Sequence, residues 1–168
     1  VREELETWWR KEHHERGYTL VYTPHIASEK IYQRSGHLEK YGGENMYGPL
    51  LLDDGARGAG GGHRPPPSAF WIKPMNCPGH IKVFQARTRS YRELPLRIGE
   101  LGTVYRYERG GTLHGMLRVR GFTQDDAHLF MRPEQVEAEL QRVVQFVLAI
   151  LRAFGFTDYE IALSTRPT

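Results

Sequence analysis

Read as an extended strand, the run from Arg118 to His128 puts Arg118, Arg120, Phe122, Gln124, Asp126 and His128 on one face, because side chains alternate across a strand. Val119, Gly121, Thr123, Asp125 and Ala127 take the other. One pleated face then offers guanidiniums, an aromatic ring, an amide, a carboxylate and an imidazole. A half-buried strand normally alternates apolar with polar residues to pack a core. This face is too varied for that and reads as the floor of a polar ligand site. Just upstream, Arg106 and Glu108 share a face at strand spacing, with Tyr105 and Tyr107 on the other. Arginines suit phosphate or carboxylate oxygens. A ring suits stacking, and a glutamate accepts from an amine. A charged, exposed hairpin with internal ion pairs has the same spacing, and spacing alone does not choose between the two.

The elements that must position these residues can be read in outline. Residues 2–16 suit a helix with Leu5, Trp8 and Trp9 on one side and Gly17 as its stop. Tyr18 to Tyr22 is β-prone and ends at Pro24. Ser28 to Arg34 suits a short helix, residues 49–52 are apolar, and Ala69 to Lys73 suits a strand. Asn76 can cap a helix with Pro78 in its first turn, continuing to about Arg89. Leu96 to Glu108 holds one or two strands. The loop from Arg109 to Leu117 contains Gly110, Gly111 and Gly115, which suits a mobile link between antiparallel strands. Pro133 opens the longest helix, with Val136, Leu140, Val143, Val144, Val147, Ile150, Leu151 and Phe154 as its buried stripe and Gly155 at its end. Residues 55–67 are rich in glycine and proline and read as a flexible loop. Interspersed helices and strands with an antiparallel hairpin predict an α+β fold.

Bulk composition sets the outer limits. The 168 residues suffice for one domain with a real core. Hydrophobic content of 39% and charged content of 26% are those of a soluble globular protein. No apolar run matches a membrane span and no signal-peptide pattern opens the chain, which excludes a membrane role and leads to a cytoplasmic expectation. One cysteine allows no internal disulfide and fits a reducing compartment. A net charge of +3 permits an anionic partner without requiring one. Val1 stands where an initiator methionine would be, and a strand-like Tyr159–Ser164 closes the chain, so a piece of a larger protein is expected.

Cys77 falls at the start of the helix after Asn76, where a helix N-terminus favours a thiolate. With His128 it makes a soft and borderline ligand pair suited to zinc. A pair is not a complete site, and a buried structural cysteine beside an unrelated histidine has the same spacing.

The runs Lys73-Pro-Met-Asn-Cys-Pro-Gly-His80, Arg106-Tyr-Glu108 and Leu113 through His128 resemble the catalytic core of the threonyl-tRNA synthetase family, which belongs to the class II aminoacyl-tRNA synthetases. The resemblance covers nearly the whole chain, as the N-terminal and central part of the catalytic domain. Gly17 through Pro24 resembles the first class II motif, and Arg106 to Asp126 the second. It implies an α+β core, an antiparallel sheet flanked by helices and incomplete in this chain. The implied activity is threonine activation with ATP and transfer to tRNA(Thr). Arg106 would hold the ATP α-phosphate and the threonine carboxylate. Glu108 would accept from the adenine amine, Phe122 would stack on the ring, and Arg118 would contact the phosphates. Gln124 and Asp126 would bind the threonine amine and hydroxyl, and Met75 would line the pocket. Cys77 and His128 would be two zinc ligands, with the third histidine beyond Thr168. His37 matches a histidine implicated in passing threonine to the tRNA ribose. Magnesium and a homodimer through the first motif are also implied. The alternative is a truncated or non-catalytic paralogue that binds ATP or RNA.

Overall fold

The computed structural model describes residues 1–42, 45–52 and 68–164. The glycine- and proline-rich stretch 55–67 lies outside the described residues. The chain divides into two compact units, Val1–Phe130 and Met131–Thr168.

In the first unit, α1 spans Arg2–Glu15. Glu3 and Glu4 sit in its first turn and His13 and His14 in its last, each complementing the helix dipole. Gly17, at φ +76°, makes the left-handed stop. Trp9 and His13, one turn apart, are buried, whereas Leu5 is exposed rather than on the packed side. After Gly17, β1 (Tyr18–Leu20) runs parallel to β5 (Leu96–Tyr105), which pairs antiparallel with β6 (Gly121–Phe130). The order β1-β5-β6 joins one parallel pair to the antiparallel hairpin, and the expectation of an α+β fold with an antiparallel hairpin stands. A second sheet, β2-β4-β3, is antiparallel throughout and uses Ile26–Ser28, Ser68–Ile72 and Leu50–Leu52. Two short helices, α2 (Glu29–Arg34) and α3 (His37–Tyr41), follow β2, divided by Gly36 at φ +73°. Tyr32, Met46 and Trp71 form the core beside this sheet, with Ile31, Leu38 and Tyr41 packed on them.

α4 (Cys77–Gln85) lies on the face of the first sheet opposite α1. His13 Nε2 of α1 reaches Asp125 Oδ1 at 3.2 Å, while Asn76 Nδ2 donates to Asp126 Oδ2 at 3.0 Å. Adjacent residues of β6 thus serve opposite layers, as the pleat requires. Phe84 stacks on Phe130, with centroids 4.2 Å apart. Asn76 therefore meets residue 126, His80 meets residue 128 and Phe84 meets residue 130. Four helical residues rise about 6 Å and two strand residues about 6.7 Å, so α4 and β6 stay in step along their seam.

In the second unit a short 3-10 turn, Pro133–Gln135, leads into α5 (Val136–Ala153), and Gly155 at φ +82° follows it. Val136, Leu140, Val144, Val147 and Phe154 are exposed, so the expected buried stripe is covered only in part. Tyr159–Ser164 is not a strand: it has no ladder partner among the described residues, and a strand exists only by pairing.

Candidate active site

The register of the hairpin defines the site. Val104 pairs with Phe122, Gly102 with Gln124, Glu100 with Asp126 and Ile98 with His128. Directly paired residues share a face, so Phe122, Gln124, Asp126 and His128 do line one surface, as alternation predicts. The strand begins at Gly121, however, so Arg118 and Arg120 lie before it and not on its face. The reason is local: His114 and Arg118 close a bridge of their own, capping the loop between the strands. β5 likewise ends at Tyr105, ahead of Arg106 and Glu108, although Arg106 N–H still donates to the Arg120 carbonyl at 2.8 Å.

The loop-side residues nonetheless converge at one end of the face. Arg118 Nε and a terminal guanidinium nitrogen reach Glu108 Oε2 at 3.0 and 2.9 Å. Arg120 Nε donates to the Glu108 carbonyl at 3.1 Å. The Arg106 guanidinium sits over the Phe122 ring, 5.2 Å from its centroid, while its Nε donates to the Pro74 carbonyl at 3.3 Å. That cation–π contact holds ring and charge together at the mouth of the face. Internal ion pairing is therefore part of this hairpin, alongside its convergence on a common face.

At the other end, α4 is pinned to β6 at two points. Asn76, fully buried, donates to Asp126, and His80 Nδ1 lies 2.8 Å from His128 Nδ1. Cys77 and His80 are three residues apart and share a side of the helix. Asn76 and His80 thus hold the start of α4 against the part of the face that carries Asp126 and His128, and the Asp126 charge acts on the Cys77 thiol. Asn76 occupies the cap position, but its side chain makes no cap bond and is committed to Asp126 instead. Met75 is half-buried and lines a cavity of about 380 Å³ with Thr23, Pro24, Ile31 and Val83.

Burial pushes the Cys77 thiol up, and the Asp126 charge adds to that; Arg106 opposes it. The expected lowering by the helix N-terminus is therefore overturned, because desolvation of a thiolate outweighs a terminal dipole here. Burial lowers His128, Asp126 raises it, and the net direction is down, which favours the neutral imidazole a metal needs. Among the described residues no group of three His, Cys, Asp or Glu side chains converges on a common metal position.

His37 stands elsewhere. It opens α3, and its Nδ1 lies 2.9 Å from Ser35 Oγ, inside the corner between α2 and α3. Burial lowers its pKa.

Sequence reasoning gave no role to the buried polar residues on the β5 side of this face and around it. Glu100 is 2% exposed and accepts from Thr23 N–H at 2.8 Å, from Thr23 Oγ1 at 2.8 Å and from Lys73 Nζ at 3.3 Å. His80 Nε2 lies 3.0 Å from Glu100 Oε2. Burial alone would raise the Glu100 carboxyl; the hydrogen bonds from His80 and Thr23 and the Lys73 charge overcome it and hold the carboxyl at about 2. A signal was available: Lys73 and His80 bound the run that contains Cys77, and Glu100 interrupts an apolar strand.

Residues 65–168 match the family model described as the tRNA synthetase class II core domain (G, H, P, S and T). The chain belongs to this family. Class II synthetase relatives extend the match across the N-terminal part. The chain is 50% identical to the threonine–tRNA ligase of Aquifex aeolicus over 166 residues, 99% of this chain and 24% of that protein. It is 52% identical to the threonine–tRNA ligase of Dehalococcoides mccartyi over 167 residues, 99% of this chain and 26% of that one. Among solved structures, the RNA binding domain of threonyl-tRNA synthetase from Cryptosporidium parvum superposes with a TM-score of 0.78 at 36% identity, covering 91% of this chain and 34% of that chain. The chain thus spans about a quarter of the length of the curated relatives it matches.

Proposed function

We propose that this class II core segment belongs to a threonine–tRNA ligase, which activates threonine with ATP and transfers it to tRNA(Thr). The carrying observation is that Asp126 and His128 share one face to which Asn76 and His80 tie the start of α4, in a chain about half identical to threonine–tRNA ligases. In this reading residues 1–168 are the N-terminal and central part of the catalytic domain.

In the activation step a threonine carboxylate oxygen attacks the α-phosphorus of ATP and pyrophosphate leaves. Such a step needs positioning and charge neutralisation more than acid–base chemistry. Arg106 is suited to both, because it is held between the Pro74 carbonyl and the Phe122 ring and reaches the mouth of the face. The adenine would stack on Phe122. The Arg118 bonds to Glu108 fall on Oε2, which leaves Oε1 to accept from the adenine amine. Arg118, exposed, would turn to the nucleotide phosphates, where magnesium would accompany ATP. Asp126 and Gln124 would receive the threonine hydroxyl and amine, with Met75 lining the pocket, and His37 would act at transfer to the tRNA ribose.

Zinc fits the donor set. A thiol and an imidazole are the ligand types it prefers, and a divalent cation beside Cys77 would offset the two effects that push its thiol up. Bound there, zinc would demand a hydroxyl-bearing substrate, where an apolar pocket separates threonine from valine by only about 1–3 kcal/mol. Cys77 and His128 would be two of its ligands. No helix among the described residues is long and apolar enough to cross a membrane, and we take the protein to be cytoplasmic. A homodimer through α1 and the Gly17–Pro24 segment accords with the exposure of Leu5 and Tyr22.

The test is zinc content and amino-acid-dependent ATP–pyrophosphate exchange on the intact protein. Bound zinc, exchange with threonine and none with valine are expected. Absence of both zinc and exchange overturns the reading in favour of a non-catalytic relative.

A further inference from the structure

On the β5 side of the face, hydrogen bonds starting from Lys73 and from His128 converge on the Glu100 carboxylate. Lys73 Nζ donates to Thr23 Oγ1 at 2.9 Å, so the hydroxyl must direct its own proton to the Glu100 carboxylate. That carboxylate can only accept. The His80 nitrogen facing it, Nε2, must therefore carry a proton. Lys73 already balances the Glu100 charge, so a neutral, fully buried His80 satisfies the pocket without a second buried cation. A neutral imidazole protonated on Nε2 has its lone pair on Nδ1. His80 Nδ1 lies 2.8 Å from His128 Nδ1, and two lone pairs cannot share that distance. His128 must supply the proton.

We propose that Thr23, Lys73, Glu100 and His80 form a relay that locks His128 as its Nδ1–H tautomer and turns its Nε2 lone pair outward as a metal donor. The inference rests on the zinc reading above for its purpose but not for its geometry. His80 and Glu100 are positioning residues: they act through His128 and touch no substrate. A ligand histidine whose second nitrogen is fixed by a hydrogen bond is the usual arrangement around protein-bound zinc. Here the fixing group is another histidine, oriented in turn by a buried carboxylate.

Glu100→Gln probes the direction of the relay. Oε1 receives the Thr23 N–H and the Lys73 ammonium, both obligate donors. The glutamine carbonyl must occupy that position, which turns its NH2 group toward His80 Nε2. His80 would then be protonated on Nδ1 and donate to His128 Nδ1, leaving the proton of His128 on Nε2, where it blocks a metal. Lys73→Met/Glu100→Gln makes the same inversion without leaving a lone buried cation, in case the single variant does not fold.

The experiment is nitrogen NMR of the histidine rings in the metal-free intact protein at pH 8, with His128 assigned by its loss in His128→Asn. Zinc affinity is measured alongside by competition with a chromophoric chelator. The expected result is a proton on His128 Nδ1 in the wild type, transferred to Nε2 in Glu100→Gln or the double variant, with zinc bound about 10–100-fold more weakly. A wild-type His128 protonated on Nε2, a doubly protonated His80, or variants with unchanged tautomer and unchanged zinc affinity would each overturn the relay. If the tautomers behave as expected and the wild type binds no zinc, the lock stands and the zinc reading is what fails.

Discussion

Gly102→Ala is the sharpest test of the seam between α4 and β6. Gly102 pairs with Gln124, and a Cβ added there would overlap the side-chain amide of Asn76. Asn76 is fully buried and has nowhere to retreat without breaking its bond to Asp126. Overpacking of this kind costs about 1–3 kcal/mol. Losing a hydrogen bond to a charged acceptor costs about 1.5–3 kcal/mol more. The sum, about 2.5–6 kcal/mol, is a large share of the roughly 5–15 kcal/mol that holds a domain together. Urea unfolding followed by tryptophan fluorescence reads the loss, since Trp9 and Trp71 are both buried in the same unit. Gly121→Ala serves as a control: its Cβ would meet only the Tyr105 ring edge, at 3.3 and 3.4 Å. Gly102 and Asn76 should be strongly coupled. In an Asn76→Ala background the obstacle is gone, and Gly102→Ala should cost less than about 1 kcal/mol. Equal cost in both backgrounds would refute the clash, and a cost below about 1 kcal/mol in the wild type would refute the tightness of the seam.

Glu100 gives a pH dependence. Its carboxyl lies at about 2 in the folded protein against an ordinary 4.5, so it contributes on the order of 3 kcal/mol above pH 4.5 that is lost as pH falls toward 2; the stability gap between wild type and Glu100→Gln should close over that window, and a constant gap would count against it. Gly79→Ala would put a Cβ 2.7 Å from Thr23 Cγ2 and should lower stability by about 1–3 kcal/mol in thermal unfolding. Arg118→Ala breaks a pair whose arginine side chain is 57% exposed and should shift stability by less than about 1 kcal/mol, yet raise KM for ATP about tenfold or more in the exchange assay; an unchanged KM would remove Arg118 from the nucleotide site.

Local rules made much of this fold legible. Apolar spacing and Gly17 gave α1 its bounds, Asn76 and Pro78 marked the start of α4, and alternation over Phe122, Gln124, Asp126 and His128 found a shared face. What escaped was decided by distant partners. β2 exists because Ile26–Ser28 finds β4 across more than forty residues of chain. Arg118 looked like a strand residue until the bridge to His114 took it into the loop. Tyr159–Ser164 has strand composition but no strand beside it among the described residues. The Cys77 thiol moved opposite to expectation because helix position is local and readable, whereas burial against Asp126 is not.

The same division explains why Lys73, His80 and Glu100 passed unread although all three are buried and charged or polar. Each is unremarkable at its own position: a lysine ending a strand, a histidine in a helix, a glutamate within a strand. Their meaning comes from the step-matching of α4 to β6, which sets His80 against His128, and from the pairing of β5 with β6, which sets Glu100 on the same face, within reach of His80. A buried ion pair is weak evidence for stability, because an apolar replacement often serves as well. Its retention here is better explained by direction. Apolar residues could fill the space, but only an acceptor balanced by a cation can fix which His80 nitrogen bears the proton, and so which nitrogen of His128 remains free.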